Sequence, residues 1–206
     1  MALAYKYATR AELKFRCGIP DATTTYDTRV DDALNTASRD IEKACGRQFN
    51  KAGAVTARVY EPCSAYLVEV DDFWTTTGLV VKTDTAADGT YATTVASTNY
   101  ELRPLNGVQD GESGWPYWKV CTVSYLWPAI WQRAPIQVSA DWGWNAVPSG
   151  VHEGCLILAE EIFKGSDTPF GSGGYGSFGI IRARQNPFCW QRIKHYAKQQ
   201  AIVPVG

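Results

Sequence analysis

Few residues of this 206-residue chain have types and spacings that could do chemistry. Gly171-x-Gly173-x-x-Gly176 reproduces the glycine spacing of a dinucleotide-binding loop. That chemistry needs a strand before the glycines and a helix N-terminus after them to receive the pyrophosphate. Here a helical pattern precedes, an extended one follows, and no acidic residue stands about 20 positions on to hold a ribose. His152 and His195 are the only histidines, and neither belongs to an HExxH pair. No GxSxG elbow exists to present a nucleophile, and Gly171-Ser172-Gly173 sits in a glycine-rich loop. Asp71-Asp72 could be read as a carboxylate pair for metal or acid–base work, but adjacent acids more often face opposite sides or flank a turn. Trp115-Pro116-Tyr117-Trp118 has the composition of a sugar-stacking platform, and equally that of a packed core or subunit interface. The chain offers no coherent active site and no cofactor or metal-binding set.

The elements that would position these residues divide at one join, Pro135 to Gly165. Ile136, Val138, Ala140 and Trp142 alternate with polar residues, the period of a half-buried strand. After Pro148-Ser149-Gly150, Val151, Cys155, Leu158, Ala159, Ile162 and Phe163 recur at helical steps, with Ser149 as cap and Gly165 as left-handed stop. Upstream, Thr9-Arg10-Ala11-Glu12 is a capping box opening a short helix with Leu13 and Cys17 on one side. A second helix from Asp27 or Thr28 carries the apolar stripe Val30, Leu34, Ala37, Ile41 and Ala44, and Gly46 ends it. Between them, VTARVYE, YLVEV, LVVKTD, TYATTV, YELRP, WKVCTVSY and IQVSADW read as strands, with Asp88-Gly89 and Asn106-Gly107 as hairpin turns. IIRAR reads as a brief strand, and Asn186-Pro187 caps a fourth helix through Phe188, Ile193, Tyr196 and Ala197. The expected fold is α+β, a bundle of about four helices with a large antiparallel β insertion, sandwich or small barrel, between helices two and three. The expected divisions are 1–54 (helical), 55–145 (β) and 146–200 (helical, with a Gly-rich loop at 165–179), then an extended tail at 201–206.

Twenty Lys and Arg against 21 Asp and Glu give a net charge of −1, which predicts no general affinity for nucleic acid. Charge is nonetheless uneven: the middle is acidic, while after Asp167 no acid follows and Arg182, Arg184, Arg192, Lys194 and Lys198 do. Six cysteines stand without a CxxC pair in a chain with no secretory leader and no membrane-spanning apolar run, expected in a cytoplasm; Cys17, Cys45, Cys155 and Cys189 fall in predicted helices and read as reduced, buried small hydrophobes.

Four stretches, taken in order, resemble a known family: ASRDIEKACGRQF (37–49), VDDFWTTTGLVVKTDTAADGTY (70–91), NYELRPLNG (99–107) and IQVSADWGWNAVPSGVHEGCLILAEEIFK (136–164). They are similar to the head-to-tail connector, or adaptor, proteins of long-tailed bacteriophages, particularly those of actinobacterial hosts. The resemblance implies a structural virion protein without catalysis, a helical bundle with a β insertion. It implies a homo-oligomeric ring, twelvefold, under the portal protein at the head-tail interface, with the next connector, stopper or tail-terminator protein beyond it. Genomic DNA would pass through the channel without sequence-specific contact, and no membrane is involved. The alternative reading is a carbohydrate-binding β-module of a phage tail or surface protein, resting on the tryptophans.

Three contact sets follow from the residues themselves. Arg29, Asp32, Arg39, Asp40 and Lys43 form a mixed-sign helix face suited to unlike subunit surfaces in a ring. Phe170, Tyr175 and Phe178 are aromatics on the Gly-rich loop, suited to partner contacts. Arg182, Arg184, Arg192, Lys194, Lys198 and the apolar Ile202, Val203, Pro204 and Val205 suit docking on an acidic portal surface. The resemblance points to the same C-terminal part for portal contact.

Overall fold

Local sequence signals set the helix ends. The Thr9 side chain accepts from the Glu12 amide while Glu12 reaches back to the Thr9 amide, so the capping box starts α1, Arg10–Arg16. Helix α2, Asp27–Cys45, buries the stripe Val30, Leu34, Ala37, Ile41 and Ala44 and ends at Gly46, which is left-handed (φ 62°). The computed structural model describes residues 5–123, 125–128, 134–165 and 182–198. The chain divides into two compact units, Met1–Phe49 with Val147–Gly206 and Asn50–Ala146.

In the helical unit α2 packs on α3, Ser149–Gly165, and α3 on α4, Pro187–Ile193. Its core joins Leu13, Leu34, Ile41, Phe49, Val151, Leu158 and Ile193, all fully buried. Gly154 allows the close α3–α4 approach, since a Cβ there would stand 2.8 Å from Ile193 Cγ2. Asn186 caps α4 by accepting from the Cys189 amide at 2.8 Å, with Pro187 at the first helical position.

Two main sheets fill the β unit. One runs β1 (Val55–Tyr60), β9 (Ile136–Asp141), β3 (Val80–Thr83), β4 (Thr93–Thr94); the other runs β2 (Leu67–Phe73), β8 (Tyr117–Thr122), β5 (Tyr100–Arg103), all pairs antiparallel. The expected alternation on β9 holds, with Ile136, Val138, Ala140 and Trp142 all buried. These meet Val68, Val70, Phe73 and Val120 of the second sheet in one apolar core, the packing of a sandwich. The fold is thus α+β, with four α-helices among the described residues and antiparallel sheets between the second and third.

Four local expectations need correction. Asn106 and Gly107 both take positive φ (57° and 62°), but β5 pairs with β8, so this turn joins no hairpin. The hairpin lies just beyond it, β6 (Val108–Gln109) and β7 (Glu112–Ser113) around Asp110-Gly111. In IIRAR, Ile180 and Ile181 lie outside the described residues, and Arg182 to Gln185 form a turn closed by a Gln185 amide to Arg182 carbonyl bond of 2.8 Å. Cys189 is buried in α4 as expected, beside Phe188, which is 70% exposed. Ser149 and Gly165 belong to α3 as its end residues, and Gly165 has no left-handed backbone.

Candidate interaction surfaces

The α2 face expected to meet a neighbouring subunit proves to be partly committed within the chain. Arg29 lies over the Phe163 ring, 4.9 Å from its centroid, and pairs α2 with α3. Arg39 donates to the Tyr5 carbonyl at 2.7 Å, pairs with Glu42 at 2.9 Å and covers the Tyr7 ring. Beneath it the Tyr7 hydroxyl donates to Glu42 and accepts from the Phe49 amide, and burial pushes the Tyr7 phenol well above its ordinary range. Arg39 therefore ties the segment before α1 to α2, and Asp32 and Lys43 are the exposed members of the face.

Helix α1 buries only one apolar side chain, Leu13, and exposes Phe15, so charges hold it. Arg16 bridges to Glu153 (2.8 Å) and Glu160 (2.6 Å) on α3, and Arg10 to Asp27 (2.8 Å) and Asp31 on α2. Fully buried Lys14 pairs with Asp27 and donates to the carbonyls of Asp21 and Thr23 (3.0 and 2.8 Å), so its charge is satisfied. The Arg10 hydrogen bonds hold the Asp31 carboxyl down to about 2, opposed by burial and helped by Lys6.

Of the C-terminal cations, Arg184 has an internal duty. Its Nε and Nη2 donate to the Ala44 carbonyl (3.2 and 2.7 Å), closing the C-terminal end of α2. Arg182, Arg192 and Lys194 are exposed, and the Lys198 amide donates to the Cys45 carbonyl at 2.8 Å. Ile202, Val203, Pro204 and Val205 lie outside the described residues, as do Phe170, Tyr175, Phe178 and the Gly171–Gly176 motif.

Arg182 and Arg184 do, however, meet the α2 face. With Asp40, Lys43, Ala44 and Ala183 they line a cavity of ≈ 280 Å³. Asp40 Oδ2 is buried there without a hydrogen-bond partner among the described residues. Burial pushes the Asp40 carboxyl above its usual range, opposed by the charges of Lys43 and Arg182. Two contact sets that the sequence places far apart thus share one lining.

In the β unit the residues that suggested chemistry are structural. Asp71 accepts from Arg58 (2.6 Å) and Tyr60 (3.0 Å) at the surface, whereas Asp72 turns inward and accepts from Trp144 Nε1 at 2.9 Å. Trp115 is buried against Trp144 and Trp118, with ring centroids 5.1 and 5.9 Å apart. Such a stack presents no open platform at Trp115. The six cysteines are free, and burial pushes the thiols of Cys45 and Cys189 up to about 12 and that of Cys155 to about 11, leaving them unreactive. Among the described residues no three His, Cys, Asp or Glu side chains form a metal-ligand group, and no helix is long and apolar enough to cross a membrane.

No family model matches the chain, and no curated protein sequence matches it. Solved structures do. A chain in the neck of an empty gene transfer agent (GTA) particle, computed with C6 symmetry, shares the fold at TM-score 0.57 and 17% identity, over 98% of this chain and 92% of its own. A chain in the neck of the native particle, computed with C12 symmetry, aligns at TM-score 0.53 and 15% identity, over 94% and 90%. A chain of the native GTA virion aligns at TM-score 0.55 and 16% identity, over 98% and 92%. The fold of this chain is that of these three chains from a GTA virion and its neck.

Proposed function

We propose that this protein is an adaptor subunit of a phage-like neck, assembling as a ring, twelvefold, between portal and tail and enclosing the DNA passage. One observation carries the reading: the likeness to neck chains covers at least 94% of this chain and 90% of each neck chain, and those necks were computed with C6 and C12 symmetry. A ring of identical copies closes through two unlike, complementary surfaces on each copy. The role is structural, with ionisable side chains that fasten helices and buried thiols held protonated, and no reaction is assigned to it.

In this reading Arg192, Lys194 and Lys198, with Ile202, Val203, Pro204 and Val205, dock on the portal, while Phe170, Tyr175 and Phe178 contact a partner in the assembled neck. The tail-side partner is the next connector, stopper or tail-terminator protein, and DNA passes without sequence-specific contact. Burying Ile202, Val203 and Val205 contributes about 1.5–3 kcal/mol each before the cost of ordering the chain. A small surplus per copy, repeated around a ring, gives firm attachment. Deleting residues 201–206 tests the docking assignment: joining to portal-containing heads should fall sharply, and joining at the normal level would refute it.

A further inference from the structure

The cavity between α2 and the Arg182–Arg184 turn has an unusual inventory. Lys43 and Arg182 are exposed and face its lining, and among the described residues their side chains form no ion pair or hydrogen bond; the charge that both act on there is Asp40. Arg184 is held to the Ala44 carbonyl, and Ala44 and Ala183 keep the remaining wall small and apolar. Three cations against one carboxylate leave the cavity net positive, sized for one acidic side chain with a few waters. The Asp40 charge also disfavours a densely charged phosphodiester, so a single carboxylate suits the cavity better than nucleic acid does.

A carboxylate of the matching kind stands exposed on the same chain. The β6–β7 hairpin forms a two-stranded sheet of its own, paired to neither main sheet. Its tip is Asp110-Gly111, both at positive φ (51° and 82°) and exposed, and Asp110 has no partner among the described residues. A short turn with an acidic tip is a shape that a small basic cavity can receive, and the pair would be heterologous, as ring closure requires.

We propose that the Lys43–Arg182 cavity of one copy receives Asp110 at the β6–β7 tip of the next copy, forming a repeated contact of the ring. The inference rests on the ring reading above. Lys43 and Arg182 supply two charge-assisted donors to the Asp110 carboxylate, and Asp40 holds both cations over the cavity. Arg184, already engaged at the α2 end, keeps the turn in place.

A charge swap in the full-length protein tests it. Lys43→Glu with Arg182→Glu, and separately Asp110→Lys, should each weaken self-association at least about tenfold, with native circular dichroism retained. Combining Asp110→Lys with the two glutamates should restore most of the loss. Carbodiimide cross-linking of mixed ¹⁴N and ¹⁵N protein should give a Lys43–Asp110 peptide carrying both labels. Rings that form undisturbed by the reversals, or reversals that lower DNA or portal binding but leave self-association intact, would overturn the cavity assignment while the ring reading stands. A wild-type protein that forms no ring even on the portal would remove both.

Discussion

Arginines fasten the helical unit where tryptophans fasten the β unit. Arg16 and Arg29 each join two helices, through Glu153 and Glu160 and through the Phe163 ring, and Arg184 joins α2 to the turn before α4 through the Ala44 carbonyl. In the β unit Trp142 donates to the Thr56 carbonyl (2.9 Å) under the Tyr60 and Phe73 rings, and Trp144 donates to buried Asp72. Helices bury narrow stripes, so long cationic side chains must reach between them, whereas two facing sheets enclose a volume that large rings fill. Residue types that suggest function on sequence grounds are, in each unit, the ones that hold it together. The positions left over, Asp32, Lys43, Arg182, Arg192, Lys194 and Asp110, are exposed and are the better candidates for partners.

The largest test of this contrast is in the β unit backbone. Gly143 has φ 101°, and a Cβ there would lie 1.8 Å from the Asn50 carbonyl oxygen. Gly143→Ala should cost at least about 3 kcal/mol, read as a lowered urea midpoint followed by tryptophan fluorescence. An unchanged midpoint would mean that this close approach is absent in solution.

Next come two residues of α2. Arg39→Ala removes the Glu42 pair, the Tyr5 bond and the cover over Tyr7, and should cost about 2 kcal/mol. Lys43→Ala, at an exposed side chain with no ion pair or hydrogen bond among the described residues, should stay within about 0.5 kcal/mol of wild type. Equal effects in thermal unfolding would erase the distinction between fastening and available cations. Thr9→Ala, which breaks the α1 capping box, should cost about 1 kcal/mol by the same measurement.

The smallest effect is that of acid. Arg10 and Lys6 keep the Asp31 carboxyl at about 2 in the folded chain, below its ordinary 3.8. The unfolded chain therefore takes up this proton first, so the contribution is whole above about pH 5 and is lost as pH falls toward about 2. Solvent screening keeps it small, because the pair is half exposed. The stability gap between wild type and Asp31→Asn should close over that range, and a gap that persists at pH 2 would assign the effect to another group.

What the sequence made legible was local. The Thr9–Glu12 box, the α2 stripe with its Gly46 stop, the β9 alternation and the Asn186-Pro187 start all depend on neighbours within a few residues. Strand pairing is not local, so Asn106-Gly107 looked like a hairpin although β5 takes β8 as partner and the hairpin forms at Asp110. Asn186 set the start of α4, and Cys189, with apolar neighbours in its own sequence, is buried as expected. The partners of Arg29, Arg39 and Arg184 had no signature, since a guanidinium reads alike whether it faces solvent, a ring or a helix end. The cavity was equally hidden, because Asp40 and Arg182 meet only through the packing of α2 against the turn before α4.

Cryo-electron microscopy of the protein assembled on its portal tests the central claim most directly. The account predicts a closed ring of this chain around the DNA passage, directly tailward of the portal, with each copy in contact with two neighbours through unlike surfaces. A portal that recruits single copies, or a density for this chain elsewhere on the particle, would contradict it.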